Sequence, residues 1–201
     1  MLSLENISHR FADHALFSNI TLQITEPRVL ITGSNGSGKT TLLMIAAGLI
    51  SPTSGTANFN GQAVKRLDVK KQIGISANKI VLPEFYTVRE FLQFHCDQFG
   101  CALDEYWLHA FGLDVFLQTK VSDLSLGNHK KLSLLSAILH KPKLLLLDEP
   151  TNGLDTQART ALDSLFKGYT GQIIIASHDV IHDANYFERH INLNDETTEQ
   201  A

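Results

Sequence analysis

The pattern of apolar and polar positions predicts alternating strands and helices. Apolar residues alternate with polar ones over residues 2–7 and 20–24, as expected for strands with one buried face. The unbroken apolar run over residues 144–147 has strand length and is typical of a parallel strand buried on both faces. Four further short strands are predicted at Arg28–Thr32, residues 73–77, Gln172–Ala176 and residues 187–193.

The segment from about residue 84 to residue 140 has helical patterning instead. Three polar residues in it are placed to cap helix N-termini, and the first has Glu90 at capping-box spacing: Thr87, Asp104 and Ser125. Other helices are expected over residues 39–48 and 157–166, with a short one between Ala176 and Phe187. We therefore predict one α/β domain over residues 1–201, with a β-rich edge at residues 1–30 and a helical subdomain inserted at about residues 84–140.

A glycine-rich segment between a predicted strand and a predicted helix matches the phosphate-loop pattern G-x-x-x-x-G-K-[ST] in full. Its residues, with the next threonine, form the first candidate binding set: Gly33, Ser34, Asn35, Gly36, Ser37, Gly38, Lys39, Thr40 and Thr41. Glycines let the backbone wrap phosphate oxygens, and the N–H groups at a helix N-terminus attract the anion. Lys39 supplies a point charge, and the Thr40 hydroxyl is placed to ligate Mg²⁺. The motif predicts nucleoside triphosphate binding without choosing among kinases, GTPases and ATPases.

Two carboxylates, Asp148 and Glu149, follow the apolar run over residues 144–147. At a strand end near the phosphate loop, Asp148 can hold Mg²⁺, and Glu149 can polarise the attacking water as a general base. A strand end that merely meets solvent would also carry acids, but the loop upstream favours the functional interpretation.

These motifs, in this order, resemble the ATP-binding cassette (ABC) family over nearly the whole chain. Residues 124–128, with the sequence LSLGN, resemble the family signature L-S-G-G-Q, and residues 148–155 resemble its Walker B strand and D-loop. His178 resembles the switch histidine, and Phe11 occupies the place of the aromatic residue that stacks on adenine.

The resemblance implies a P-loop NTPase (RecA-like) core and ATP held between two subunits, with Mg²⁺ as its metal. The loop of one subunit would face Ser125 and Gly127 of the other, either a second copy or a paralogous ATPase subunit. Glu149, His178 and Lys39 would act in hydrolysis, and Asp155 would communicate across the interface. Asn78, at the position of the family's Q-loop glutamine, would reach Mg²⁺ and the water.

Three residues depart from the family pattern. Leu126 replaces the first signature glycine, and Asn128 replaces the glutamine. Asn78 keeps an amide but is one methylene shorter than glutamine, so its reach toward the metal is reduced. We expect a working site with altered dimer affinity.

Charge and composition limit the classes of partner that the chain is expected to bind and the compartment in which it is expected to act. The formal net charge of −4, without a basic stripe, argues against nucleic acid. Two cysteines are too few for a disulfide scaffold and suit a reducing compartment. The N-terminus is patterned as a strand, not a signal peptide, and the apolar stretch over residues 42–50 is far short of the ~20 residues that span a bilayer. We therefore expect a peripheral protein at the cytoplasmic face of the inner membrane, with an integral-membrane permease as a separate chain.

Other features have two interpretations each. The histidines and cysteines at positions 95, 96, 101 and 109 lack zinc-module spacing, which favours packing over a metal site. Lys130 and Lys131 fit a solvated helix face, although they could instead strengthen the field at the nucleotide. The aromatic residues of the helical segment fit core packing, with Phe85 or Tyr86 as alternatives for contacting a membrane partner.

The function predicted from the sequence is ATP hydrolysis that drives export through the permease, with haem export and ABC-2-type systems left open. Soluble ABC ATPases of translation or repair carry two cassettes or long coiled coils, which this length does not accommodate. A non-hydrolysing regulatory cassette is the other alternative, and Glu149 and His178 argue against it.

Overall fold

A computed structural model describes residues 1–11, 14–178 and 186–196 of the 201-residue chain. The strands are β1 Leu2–Phe11, β2 His14–Ile24, β3 Arg28–Thr32, β4 Ser54–Phe59, β5 Gln62–Ala63, β6 Ile73–Ser76, β7 Leu144–Asp148, β8 Gln172–Ala176 and β9 Arg189–Asn192. The helices are α1 Lys39–Ala46, α2 Leu67–Lys70, α3 Val88–Phe99, α4 Glu105–Ala110, α5 Leu126–Leu139, α6 Thr156–Gly168 and α7 Leu193–Glu196. Two short 3₁₀ turns, Asp114–Phe116 and Val121–Asp123, precede α5.

The strands form two sheets. The larger has the order β6-β7-β8-β3-β9, and every neighbouring pair in it is parallel. The smaller has the order β2-β1-β4-β5 and is antiparallel. Parallel order brings the carboxyl ends of the larger sheet's strands to one edge, where ligands bind in open α/β sheets.

Strand β7 shows why the larger sheet is apolar on both faces. All five of its residues are buried. Leu145 and Leu147 pack in the cluster formed with the helical segment, whereas Leu144 and Leu146 pack in the cluster formed with α1 and the smaller sheet. A strand between two apolar layers needs apolar residues at successive positions, so the uninterrupted leucine run follows from this placement.

The structure confirms the α/β fold with a phosphate loop between a parallel strand and a helix. The boundaries of the β-rich edge were wrong. The smaller sheet uses β1 and β2 together with β4 and β5, and Arg28–Thr32 belongs to the parallel sheet. The last strand is also shorter than predicted, because Leu193 begins α7. The predicted short helix between Ala176 and Phe187 falls mainly on residues outside those described.

The helix starts predicted in the helical segment are confirmed. Thr87 Oγ1 accepts from Glu90 N at 3.2 Å, and the Glu90 carboxylate accepts from Thr87 N at 2.8 Å, which completes a capping box. Asp104 caps α4, and Ser125 caps α5. In the described part of the chain, no helix is long and apolar enough to cross a membrane.

Helix α5 lies directly against β6, and Gly74 makes the contact possible. A Cβ added at Gly74 would lie 2.0 Å from the Ala137 carbonyl oxygen, which belongs to the α5 backbone. Gly168, at the end of α6, has no atom within 4 Å of the corresponding position. The two glycines therefore differ in steric demand, and Gly74 sets how closely α5 approaches the sheet.

We predict that Gly74→Ala lowers the free energy of unfolding by about 2 kcal/mol or more, because the methyl group overlaps backbone that cannot rotate away. Urea denaturation followed by circular dichroism measures the change. Gly168→Ala is the matched control and should be neutral or slightly stabilising. Equal stabilities for the two variants would contradict the close packing of α5 on β6.

Candidate nucleotide site

The glycine-rich loop connects β3 to α1 and is shaped by its glycines. Gly36 and Gly38 have φ values of 86° and 96°, which side chains rarely adopt. A Cβ at Gly38 would also lie 2.8 Å from the ring of Phe17. Positive φ and this close approach together require glycine at position 38, the N-cap residue directly before α1.

Two polar side chains of the loop, those of Lys39 and Ser37, are turned inward. Lys39 Nζ donates to the carbonyl oxygens of Gly33 at 2.8 Å and Ser34 at 3.1 Å, and the side chain is buried. Within the part of the chain that the structure describes, the buried Ser37 Oγ has no hydrogen-bond partner. A buried hydroxyl without a partner is costly, and a phosphate oxygen accepting its proton would relieve that cost.

Thr40 and Asp148 meet at the edge of the sheet. Thr40 Oγ1 donates to Asp148 Oδ2 at 2.7 Å, and the Asp148 side chain lies at the buried end of β7. Burial raises the pKa of the Asp148 carboxyl, while the Thr40 hydrogen bond and the charge of Lys130 act in the opposite direction. The pair presents hard oxygen donors side by side, the ligand type that Mg²⁺ prefers.

Glu149 is held by the segment after β8. Its carboxylate accepts from Ser177 Oγ at 3.0 Å, from His178 N at 2.9 Å and from His178 Nδ1 at 2.7 Å. An ionised carboxylate can only accept, so His178 Nδ1 carries the proton in this contact. Glu149 also has φ of 46°, a left-handed conformation that costs roughly 1–2 kcal/mol for a residue with a Cβ. The strained backbone and these three hydrogen bonds fix the direction of the carboxylate.

A cavity of about 410 Å³ brings these groups together. Its lining is Phe11, Leu16, Asn35, Gly36, Gly38, Lys39, Thr40, Thr41, Asn78, Lys79, Asp148 and Glu149. At its outer end the Phe11 ring is half exposed, and Lys79 Nζ lies 5.7 Å from the ring centroid. A flat aromatic surface at one end and cationic loop groups at the other match a nucleotide's base and phosphates.

Asn78 follows β6 and reaches the same cavity. Its Oδ1 accepts from Lys130 Nζ at 3.2 Å, and the same ammonium donates to the Asp148 carbonyl oxygen at 2.7 Å. Burial lowers the pKa of Lys130, and the nearby charges of Asp148 and Glu149 oppose that shift. One buried lysine therefore joins α5, the end of β7 and the loop after β6.

Residues 124–128 span the N-cap and first turn of α5, together with the residue before them. Ser125 Oγ accepts from Asn128 N at 3.3 Å, so its hydroxyl can still donate a proton outward. Gly127 is required within the chain, because a Cβ there would lie 2.8 Å from the Gly153 carbonyl oxygen. Leu126 is 92% exposed, which leaves an apolar side chain in solvent beside the signature.

Asp155 ties two helices together. Its carboxylate caps α6 by accepting from Ala158 N at 2.9 Å and pairs with Lys131 Nζ at 2.5 Å. The Lys131 hydrogen bond lowers the pKa of Asp155. Asp155 therefore links the start of α6 to α5, and its predicted role across a dimer interface stays a prediction.

The solvated face predicted at Lys130 and Lys131 was wrong. The two residues are 8% and 7% exposed; Lys130 donates to the Asp148 carbonyl oxygen, and Lys131 donates to the Asp155 carboxylate. Long aliphatic stems allow lysine to cross a buried layer, which a periodicity pattern does not reveal. Among the described residues, no group of three or more His, Cys, Asp or Glu side chains is placed to hold a metal ion.

Sequence reasoning missed four residues that line or contact the site: Leu16 in the cavity wall, Lys79 beside Phe11, and Ser177 and Asn152 beside Glu149. Ser177 and Asn152 follow motifs that were recognised, so their proximity in sequence was the available signal. No local pattern indicates Lys79, because its contact with Phe11 depends on how the smaller sheet packs beside the loop after β6.

The residues present fit ATP and Mg²⁺. The loop offers an unpartnered buried hydroxyl, a cationic side chain and glycines at positions where a Cβ is excluded. Thr40 and Asp148 offer the oxygen ligands for the metal. Phe11 offers a ring for the base.

Comparison with known proteins identifies the family. The family model described as ABC transporter matches residues 17–152. An uncharacterized ABC transporter ATP-binding protein of Bacillus subtilis is 34% identical over 92% of this chain and 64% of its own length. An energy-coupling factor transporter ATP-binding protein of Thermotoga maritima is 32% identical over 94% of this chain and 77% of its own length. The chain thus spans somewhat less than two thirds of the first relative and about three quarters of the second.

A solved structure of a dimeric ATP-binding cassette in a post-hydrolysis state, bound to ADP and Pi, has the same fold. It aligns with a TM-score of 0.79 at 25% identity, covering 96% of this chain and 94% of that one. The P-loop fold predicted from the sequence is therefore confirmed. With the matched family model covering more than half of the residues, the chain belongs to the ABC transporter family, as one of its ATP-binding domains.

Proposed function

We propose that this chain hydrolyses ATP at the interface of two cassettes and thereby drives export through a separate membrane permease. The observation that carries the proposal is the convergence of Lys39, Asp148 and Glu149 on one cavity. Cation, metal ligand and general base are the parts that phosphoryl transfer to water requires. We further propose a single ABC ATPase domain over residues 1–201, with its helical subdomain at about residues 84–140.

In the proposed reaction, Glu149 accepts a proton from water as the water oxygen attacks the γ-phosphorus. The bond from that phosphorus to the bridging oxygen breaks, which releases ADP and phosphate. Lys39 neutralises phosphate charge, and His178 holds the Glu149 carboxylate in place through the 2.7 Å contact. Mg²⁺, when bound by Thr40 and Asp148, would shield the charge of the phosphates.

A second cassette would complete the site. Ser125 and Leu126 stand at the exposed start of α5, and the related cassette bound to ADP and Pi is dimeric. In a two-fold pair, each α5 N-terminus would point its donors at the other molecule's γ-phosphate. A second copy of this chain or a paralogous ATPase subunit would serve equally.

An exposed aromatic cluster supports a membrane partner. The rings of Phe85 and Tyr86 lie 4.3 Å apart, and those of Tyr86 and Phe94 lie 5.7 Å apart. Phe85 is 72% exposed, in line with the alternative left open for it in the sequence, whereas Phe91 and Phe111 are buried as core packing predicts. Exposed aromatic patches mark docking sites. We therefore place the protein peripherally, at the cytoplasmic face of the inner membrane, with this cluster against the permease.

The transported substrate is decided by the permease, so haem export and ABC-2-type export remain alternatives. Relatives named for energy-coupling factor transport and for lantibiotic transport, the latter 31% identical, show that one cassette type serves several cargoes. A soluble ABC ATPase with a regulatory role is the second candidate, and the exposed aromatic cluster disfavours it.

Glu149→Gln should lower kcat for ATP hydrolysis at least about 100-fold, because an amide cannot accept the proton of the attacking water. Affinity for ATP should stay within about twofold, since no contact to the loop is lost. Phosphate release and equilibrium binding measure the two quantities. Glu105→Gln, on exposed α4, is the control. Retained turnover in Glu149→Gln would rule out this residue as the base.

Lys39→Ala should weaken ATP binding by about 10- to 100-fold, the cost of losing a hydrogen bond to a charged group. Isothermal titration calorimetry with ATP measures the change. Lys167→Ala removes an exposed lysine from α6 and should bind like the native protein. Unchanged affinity in Lys39→Ala would contradict the assignment of the loop.

Phe85→Asp should release the protein from membranes without changing its ATPase rate, because the ring contacts neither the cavity nor the sheet. The fraction that sediments with membranes of the source cell is the measurement. Tyr106→Asp, at an aromatic residue of α4 with similar exposure, is the matched control. Equal membrane fractions in both variants would place the docking surface elsewhere.

A further inference from the structure

The loop after β6 and helix α5 share one polar contact that the proposed mechanism does not use. Lys130 Nζ lies between the Asn78 side chain, at 3.2 Å, and the Asp148 backbone oxygen, at 2.7 Å. Asn78 is exposed on its other side and lines the cavity that holds Lys39, Thr40 and Glu149. The orientation of the Asn78 amide therefore decides whether its oxygen or its NH2 group faces the cavity.

The chemistry of the lysine fixes that orientation. An ammonium group has three donors and no acceptor, so only the carbonyl oxygen of an amide can face it. Asn78 Oδ1 is consequently turned to Lys130, and Nδ2 is turned away from it. Among the residues that the structure describes, no acceptor is bonded to Asn78 Nδ2.

The lysine is itself firmly placed. Lys130 is a buried residue of α5, and its second contact is to the main chain at the end of β7, where the Asp148 side chain is hydrogen-bonded to Thr40. To turn its oxygen toward the cavity, Asn78 would have to leave an ammonium without one of its acceptors. A buried donor left unpaired costs about 1–3 kcal/mol, and more when it is charged.

We propose that Lys130 positions Asn78 so that its Nδ2 amide, not its oxygen, faces the phosphates, making Asn78 a hydrogen-bond donor to the terminal phosphate of ATP. Asn78 then contributes no ligand to Mg²⁺, in contrast to the role that the resemblance implies for this position. The inference rests on the proposed nucleotide site and adds a residue that senses the γ-phosphate directly. Lys130 is a positioning residue, since it acts through Asn78.

Binding without metal separates the two roles of Asn78. Kd values for ATP and for ADP are measured by calorimetry in EDTA and again with Mg²⁺. A donor to the terminal phosphate contributes to ATP affinity in EDTA, whereas a metal ligand does not. We expect Asn78→Ala to weaken ATP binding in EDTA by about tenfold and to leave ADP binding unchanged.

Asn78→Asp keeps an oxygen and removes the amide hydrogens. We expect it to weaken ATP binding as much as Asn78→Ala, both with and without Mg²⁺. The alternative is that Asn78 is a metal ligand. In that case Asn78→Ala binds ATP normally in EDTA and weakens only Mg-ATP binding, and Asn78→Asp restores Mg-ATP binding. That result would overturn the proposal.

The positioning role is tested by Lys130→Met, which keeps the aliphatic stem. Without the Lys130 ammonium the Asn78 amide is free to rotate, so the ratio of the Kd for ADP to the Kd for ATP in EDTA should fall by about threefold. Lys130→Arg should restore the native ratio. Lys131→Met is the matched control. It removes a neighbouring buried cation that pairs with Asp155, so it should leave the ratio of the two Kd values unchanged.

Thermal melting checks that each variant is folded, and Asn78→Ala carries the test if Lys130→Met does not fold. A folded Lys130→Met with the native ATP-to-ADP ratio would overturn the positioning role. If the native protein bound neither ATP nor ADP, the proposed function itself would fail. If the native protein binds ATP and Asn78→Ala binds it equally well, only the role of Asn78 is overturned.

Discussion

Burial of β7 between two apolar layers is the constraint on which the site depends. Its leucines are held from both faces, so the strand cannot shift by one residue without exchanging the side chains that face each layer. Because β6, β8 and β3 run parallel to it, their carboxyl ends meet at one edge. The phosphate loop, Asn78, the Asp148–Glu149 pair and His178 are thereby assembled from segments far apart in the chain.

Close backbone approach is the second requirement, and glycine supplies it at two places around α5. Gly74 admits the helix to the sheet, and Gly127 admits the Gly153 carbonyl to the start of the helix. The first contact sets the distance between the C-terminal part of α5 and β6, and the second sets the distance between the first turn of α5 and the loop that carries Gly153. Packing within a single molecule thus requires glycine at position 127, in addition to any approach of its backbone to phosphate.

Sequence reasoning recovered what is encoded locally. The buried strand at residues 144–147, the caps at Thr87 and Ser125 and the phosphate loop each follow from patterns within a few residues. The smaller sheet was misjudged, because β4 pairs with β1 across some 50 residues and no local pattern records that partner. Lys130 was misjudged for the same reason, since its acceptors come from two other elements.

The exposed Leu126 has a consequence for how two such molecules would come together. A glycine at this position has no side chain to bury, whereas the Leu126 side chain would leave water when two molecules pair. Full burial of a leucine contributes about 1.5–3 kcal/mol. That contribution carries a negative heat-capacity change. The Leu126 contribution to pairing would therefore become smaller on cooling even with nucleotide saturating, a thermal signature that purely phosphate-mediated contacts do not impose.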